Sequence, residues 1–230
     1  MSVYLIPCPI SEDGMEDIPY STLNVLHTLQ HFVVERAKTA RHFIKKSNHP
    51  LSISDLFIEE MNERDDAWKS AVSGWMKQNI SFGIISEAGC PGIADPGAEV
   101  VAIAHQQNTP VFPLTGPSSI LLALMGSGFN GQSFIFHGYL PNKKDELFPA
   151  LKRLEKQMLT GTSQIFMEAP YRNIFMLESL TSCLPDHTKL CVACDIHGSS
   201  QRIKTMTIKK WKEEDLPYYH KKPCIYILGK

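Results

Sequence analysis

The stretch Phe82-Gly83-Ile84-Ile85-Ser86-Glu87-Ala88-Gly89-Cys90-Pro91-Gly92-Ile93-Ala94-Asp95-Pro96-Gly97 decides how this chain is read. The apolar run over 80–86 predicts a strand, and 98–107 has the spacing of a helix. Between them, Gly89, Gly92 and Gly97 permit positive φ or close backbone approach, while Pro91 and Pro96 stiffen the connection. A strand entering a helix through such a loop is the unit of an α/β protein, and open parallel sheets bind ligands at the carboxyl ends of their strands. Glu87 and Asp95 offer acceptors to a polar ligand there. A plainer reading of the same residues is a tight turn in which Asp95 caps the following helix.

Working outward, the alternation continues. Strands are predicted over 3–6 and 31–35, and helices over 20–30, 39–46 and 64–79, the last with Trp68, Val72, Trp75 and Met76 on one face. A strand over 111–114 ends in Thr115-Gly116-Pro117, read as a hinge that divides the chain into 1–115 and 116–230. Helices follow over 118–125, 146–159 and 173–184, with strands over 134–139 and 164–167. Three strand-like runs over 190–193, 202–208 and 224–228 have little helical pattern between them, which predicts a mixed or antiparallel second sheet. The expected fold is therefore α/β in two lobes, the first mostly parallel and the second mixed.

Composition narrows the classes. The 230 residues carry 23 basic and 24 acidic side chains and are 43% hydrophobic, which excludes a disordered chain and a generally polycationic one. Any nucleic-acid contact then uses a local patch, and the cluster Arg36, Lys38, Arg41, Lys45 and Lys46 follows a strand end beside the glycine loop. No apolar run reaches the length of a membrane helix, and the six scattered cysteines suit reduced thiols, so a cytoplasmic protein away from membranes is expected. Cys191-x-x-Cys194 lacks a second paired set, and no metal is expected. Gly126-x-Gly128-x-x-Gly131 follows a predicted helix and leads to a strand, the reverse of a dinucleotide loop.

Two further strand ends carry chemistry. In Thr115-Gly116-Pro117-Ser118-Ser119-Ile120 the hydroxyls sit at a helix start, which suits an anion or a self-capped helix. In Phe166-Met167-Glu168-Ala169-Pro170-Tyr171-Arg172 a carboxylate ends an apolar strand, suited to moving a proton or to an ion pair with Arg172.

Taken in order, the 86–97 loop, Gly116-Pro117-Ser118-Ser119, the 136–141 segment and Glu168-Ala169-Pro170-Tyr171-Arg172 resemble the tetrapyrrole methylase superfamily of S-adenosylmethionine (SAM) dependent methyltransferases. Within it the similarity is to the bacterial small-subunit ribosomal RNA cytidine 2'-O-methyltransferase group, and it runs from Val3 to about Arg172. The resemblance implies SAM in a cleft between the two lobes, and a homodimer. By position it gives Pro9, Ile10, Ser86, Glu87, Ala88, Gly89, Ile93 and Asp95 to the cofactor from the first lobe. From the second half it adds Ser118, Ser119 and Ile120, with Met167, Pro223 and Ile225 near the adenosine. Glu168 and Glu35, with Asp95 beside them, are the carboxylates available as a base; Lys38, Arg41 and Arg172 fall on the acceptor side. Glu35-Arg36-Ala37-Lys38 stands where the ribosomal group has Glu-Asp-Thr-Arg, so cofactor motifs are kept better than acceptor motifs. The implied acceptor is an RNA or ribosomal subunit. The alternatives are a tetrapyrrole or other small metabolite, or a module that binds SAM or RNA without turnover.

Overall fold

The computed structural model describes residues 1–62 and 66–230, and it divides into two compact units, Met1–Ser118 and Ser119–Lys230. In the first unit the strands are β1 (Val3–Ile6), β2 (His31–Val34), β3 (Phe57–Glu60), β4 (Phe82–Ile85) and β5 (Val111–Pro113). They form one wholly parallel sheet in the order β3-β2-β4-β1-β5. β4 lies at its centre with all four residues buried, as a continuous apolar run between helical layers should. The helices are α1 (Tyr20–Leu26), α2 (Ala37–Lys46), α3 (Ala67–Lys77) and α4 (Ala98–Gln106). Trp68, Val72, Trp75 and Met76 of α3 are buried together against Val3, Phe82 and Ile84, the face expected from their spacing. Of the helix expected over 64–79, residues 64 and 65 lie outside the described residues.

The sheet order sets where a ligand belongs. The connections leaving β1 and β4, which are neighbours, cross to opposite sides of the sheet. That divergence opens a crevice at their carboxyl ends, the topological switch point of a parallel α/β sheet. Both the 7–10 segment and the 86–97 loop start there.

β3 was not expected from the sequence. Phe57-Ile58-Glu59-Glu60 sits at the sheet edge, where Phe57 is largely exposed, so no alternation of buried and exposed positions announces a strand. The first helix is also shorter than its pattern, ending at Leu26 rather than Gln30.

The second unit contains α5 (Ser119–Ser127), β6 (Phe134–Tyr139), α6 (Lys144–Met158), β7 (Ser163–Glu168), α7 (Asn173–Cys183), β8 (Lys189–Cys194), β9 (Arg202–Thr207), the short α8 (Ile208–Trp211) and β10 (Cys224–Gly229). Its strands order as β6-β7-β10-β8-β9; β6 and β7 are parallel and the remaining pairs antiparallel. The mixed sheet predicted from three closing strands is what forms. Every residue of β10 is buried, and Phe166 and Tyr226 stack with ring centroids 5.4 Å apart. Each such side chain contributes about 1.5–3 kcal/mol relative to exposure.

Gly128 takes φ +74° just after α5, so the Gly126–Gly131 string terminates a helix. Cys191 and Cys194 lie three apart on β8, which turns them to opposite sheet faces. They cannot share a metal. All six thiols are free, and among the described residues there is no group of three His, Cys, Asp or Glu placed to hold a metal ion.

Candidate active site

In the first unit the loop after β4 is stitched to the loop after β1. Cys8 N–H donates to Gly89 O at 2.8 Å, and Gly89 N–H returns the bond to Cys8 O at 3.1 Å. The left-handed φ values of Gly89 (+66°), Gly92 (+80°) and Gly97 (+136°) fold the rest of the loop back on itself, closed by Gly92 N–H to Pro96 O at 3.1 Å. A Cβ on Gly97 would lie 3.1 Å from Gly92 N, so no other residue permits this curl without displacement. Ala94 also has positive φ, +65°, a conformation that costs a non-glycine residue about 1 kcal/mol.

The loop after β5 joins the same edge. Gly116 rests on the Pro7 ring so closely that a Cβ would overlap Pro7 Cβ. Cys90 Sγ lies 3.5 Å from Pro117 O, and Thr22 Oγ1 donates to Thr115 O at 2.7 Å. Pro9 is half-buried, and Ile10 sits where a Cβ on Gly89 would meet it at 3.6 Å. Pro9, Ile10, Ser86, Glu87, Ala88, Gly89, Ile93, Asp95 and the approach to Ser118 are thereby gathered at one sheet edge. Ser86 is buried and donates to Ala88 O at 3.3 Å, whereas Ile93 leaves an apolar side chain 54% exposed.

Three carboxylates meet at this edge. Glu35 follows β2, and its Oε2 accepts the Glu87 backbone N–H at 2.9 Å; Glu87 Oε1 accepts the Thr39 hydroxyl at 2.9 Å. Asp95 completes the group. Burial, reinforced by the charges of Glu35 and Glu87, raises its carboxyl from the usual 3.8 to about 6. Asp95 does not cap α4, whose N-cap is Gly97 without a side-chain bond, so the plainer reading of that residue is overturned. Lys38 and Arg41 are exposed on α2, which starts beside the loop through the Thr39–Glu87 bond. The start of α2 is held by Glu60 of the unforeseen β3, whose Oε2 accepts the Ala37 N–H at 2.7 Å.

The second unit assembles its own group at the end of β7 and the start of β10. Met167 and Ile225 are rung partners, as are Glu168 and Cys224, with Pro223 next in the chain and its carbonyl accepting the Asp195 N–H at 2.9 Å. Ser119 and Ile120 begin α5, which packs on β8, β9 and β10; Ile120 is buried. Glu168 is buried, its Oε1 accepts the Ala169 N–H at 2.8 Å, and its Oε2 stands 3.3 Å from Arg172 Nη2. The ion-pair alternative for Glu168 is thus what forms.

Sequence reasoning missed Asn173. This fully buried amide donates through Nδ2 to the carbonyls of Tyr219 (2.8 Å) and Lys222 (2.6 Å) and accepts the Tyr226 hydroxyl at Oδ1 (2.9 Å). It pins the Pro170-Tyr171-Arg172 turn to the approach of β10, helped by Lys221 N–H to Pro170 O at 3.0 Å. An asparagine at a helix start reads as a surface cap, and only long-range packing reveals otherwise.

Beside that turn lies a hollow of about 520 Å³, lined by Tyr139, Leu140, Asn142, Glu168, Tyr171 and Arg172 among others.

No family model matches the chain. Curated relatives do. The ribosomal RNA small subunit methyltransferase I of Micromonospora olivasterospora is 31% identical over 185 residues, covering 80% of this chain and 56% of that protein. The protein of the same name from Bacillus subtilis is 28% identical over 216 residues, covering 93% of this chain and 70% of its own length. The chain therefore spans little more than half of the first relative and about two thirds of the second. Among solved structures, the methyltransferase CobJ aligns over the whole chain at a TM-score of 0.64, and uroporphyrin-III-C-methyltransferase from Thermus thermophilus at 0.58, both at 15% identity. These last two establish the fold. By sequence along most of its length, this chain is similar to proteins named ribosomal RNA small subunit methyltransferase I, and its fold is that of the two solved methyltransferases.

Proposed function

We infer that this chain is a SAM-dependent methyltransferase acting on a ribose hydroxyl of small-subunit ribosomal RNA. The observation that carries the reading is the stitched edge of the first unit. There, loops after β1, β4 and β5 converge at the sheet's switch point around three carboxylates, in a chain akin to ribosomal RNA methyltransferases.

The residues fit such a donor. Curled glycine backbone lets a ligand approach closely, the carboxylates of Glu35, Glu87 and Asp95 suit a cationic group, and exposed Ile93 offers apolar cover. SAM supplies a methyl group on a sulfonium, open to in-line attack by an acceptor oxygen. The protein's part is to hold the reacting groups about 3–3.5 Å apart and to exclude water. A hydroxyl acceptor also needs its proton removed. Asp95, with its carboxyl at about 6, is ionised at neutral pH yet basic enough to accept a proton. Glu35 spends one oxygen on the Glu87 N–H and serves as the strut of that loop. Glu168 is tied to Arg172, which supports a positioning role for the carboxylate nominated alongside Glu35. Lys38 and Arg41 supply a phosphate-facing basic helix.

Sequence likeness favours RNA over a tetrapyrrole acceptor, because the relatives found by sequence are ribosomal RNA methyltransferases while the tetrapyrrole enzymes match at 15%. The deciding experiment incubates the protein with methyl-labelled SAM and either small ribosomal subunits or a tetrapyrrole. Label in RNA, released as a 2'-O-methylnucleoside, is expected. Label in the tetrapyrrole alone would replace the acceptor, and SAM binding without transfer to any acceptor would leave a binding module. Light scattering in the same buffer tests the homodimer that the resemblance implies.

A further inference from the structure

We propose that the hollow beside Glu168 binds a nucleotide of single-stranded RNA, stacking bases on Tyr139 and Tyr171 and meeting phosphate with Arg172. The proposal rests on the RNA reading above and adds the surface and the strandedness of the substrate.

Tyr139 and Tyr171 line the hollow from the end of β6 and the turn after β7, and they are 61% and 68% exposed. The Tyr171 ring is largely exposed at a cost in apolar burial, whereas Phe166, Trp211, Tyr219 and Tyr226 of the same unit are completely buried. An exposed ring at a concave site can recover that cost by stacking on a base.

Arg172 is held for such a task. Its Nη2 donates to the Asn142 carbonyl at 3.3 Å and faces Glu168 at 3.3 Å, while its guanidinium carbon lies 5.4 Å from the centre of the Phe175 ring. Glu168 is itself buried, and its Oε2 faces Arg172 without hydrogen-bond geometry. The ion pair holds the guanidinium at the hollow. The Arg172 side chain is 19% exposed, so it meets an anion only through the donors that reach the hollow. Glu146 also lines the hollow, so phosphate is met on the side where Arg172 faces it. Rings for bases and a guanidinium for phosphate around an open hollow suit unpaired nucleotides. A base-paired helix could not present its base faces to these rings.

The test measures fluorescence anisotropy of a labelled 12-nucleotide single-stranded RNA and of the same strand annealed to its complement. The wild-type chain should prefer the single strand. Tyr171→Ala and Tyr139→Ala should each weaken it about tenfold, with the salt slope unchanged because no phosphate contact is lost. Tyr171→Phe should keep the affinity, and Tyr20→Ala, at a still more exposed tyrosine of the first unit, should have no effect. Undiminished binding by both alanine variants, equal losses on Tyr20→Ala, or preference for the duplex would each overturn the proposal. Calorimetry with SAM on the same samples keeps the two readings apart. Cofactor affinity without single-strand binding refutes the hollow's role and leaves the methyltransferase standing, whereas tyrosine-dependent RNA binding without SAM affinity does the reverse.

Discussion

The two units place their candidate residues by different means. In the first, backbone does the placing: three glycines with positive φ, a reciprocal pair of main-chain bonds between Cys8 and Gly89, and the contact of Gly116 with Pro7. In the second, one buried side chain does it, since Asn173 ties the turn after β7 to the residues before β10. A site shaped by main chain tolerates changes of side chain but not an added Cβ. A site held by an amide tolerates reshaping but not loss of its hydrogen-bonding groups.

The largest effect should come from the amide. Asn173→Ala leaves two carbonyls and the Tyr226 hydroxyl buried without their partner, at a cost of about 3 kcal/mol. The urea midpoint of the second unit should fall accordingly, and Asn173→Asp should recover only the bond from Tyr226. Next is Gly116→Ala, whose Cβ would overlap the rigid Pro7 ring. About 2 kcal/mol of stability should be lost as the loops after β1 and β5 part, and SAM affinity should fall at least tenfold by calorimetry. Affinity preserved in that variant would mean that the stitched edge does not hold the cofactor.

The smallest effect concerns charge. Because Asp95 takes up its proton more readily when folded, it adds stability below pH 3.8 that is lost as pH rises through about 6. Asp95→Asn should therefore raise stability at pH 7–8 by about 1 kcal/mol, once solvent screening of a half-buried group is allowed for, and leave it unchanged near pH 3.5. In the native protein the methyl-transfer rate should climb through pH 6. Persistence of that limb in Asp95→Asn would return the proton to another carboxylate.

The same contrast explains what could be read in advance. Glycines and prolines between an apolar run and a helix carry their meaning locally, so the 86–97 loop and its gathering of Glu87 and Asp95 were legible. β6 was read to the residue over 134–139, and the mixed second sheet followed from three closing strands. β3 escaped because Phe57 to Glu60 is an edge segment with no buried face to set a period. Glu168 was legible as one of two roles, and its tie to Arg172 needed coordinates. Asn173 escaped altogether, because its partners lie 46 to 53 residues away and nothing local distinguishes a hub from a cap.

Glu60 ends the outermost strand and holds the first amide of the basic helix carrying Lys38 and Arg41. Anyone paring this protein to a smaller catalyst would see dispensable trim in that rim. Removing it would unmoor that helix, so under the proposed function a shortened version should keep its affinity for the nucleoside donor while losing its grip on the acceptor.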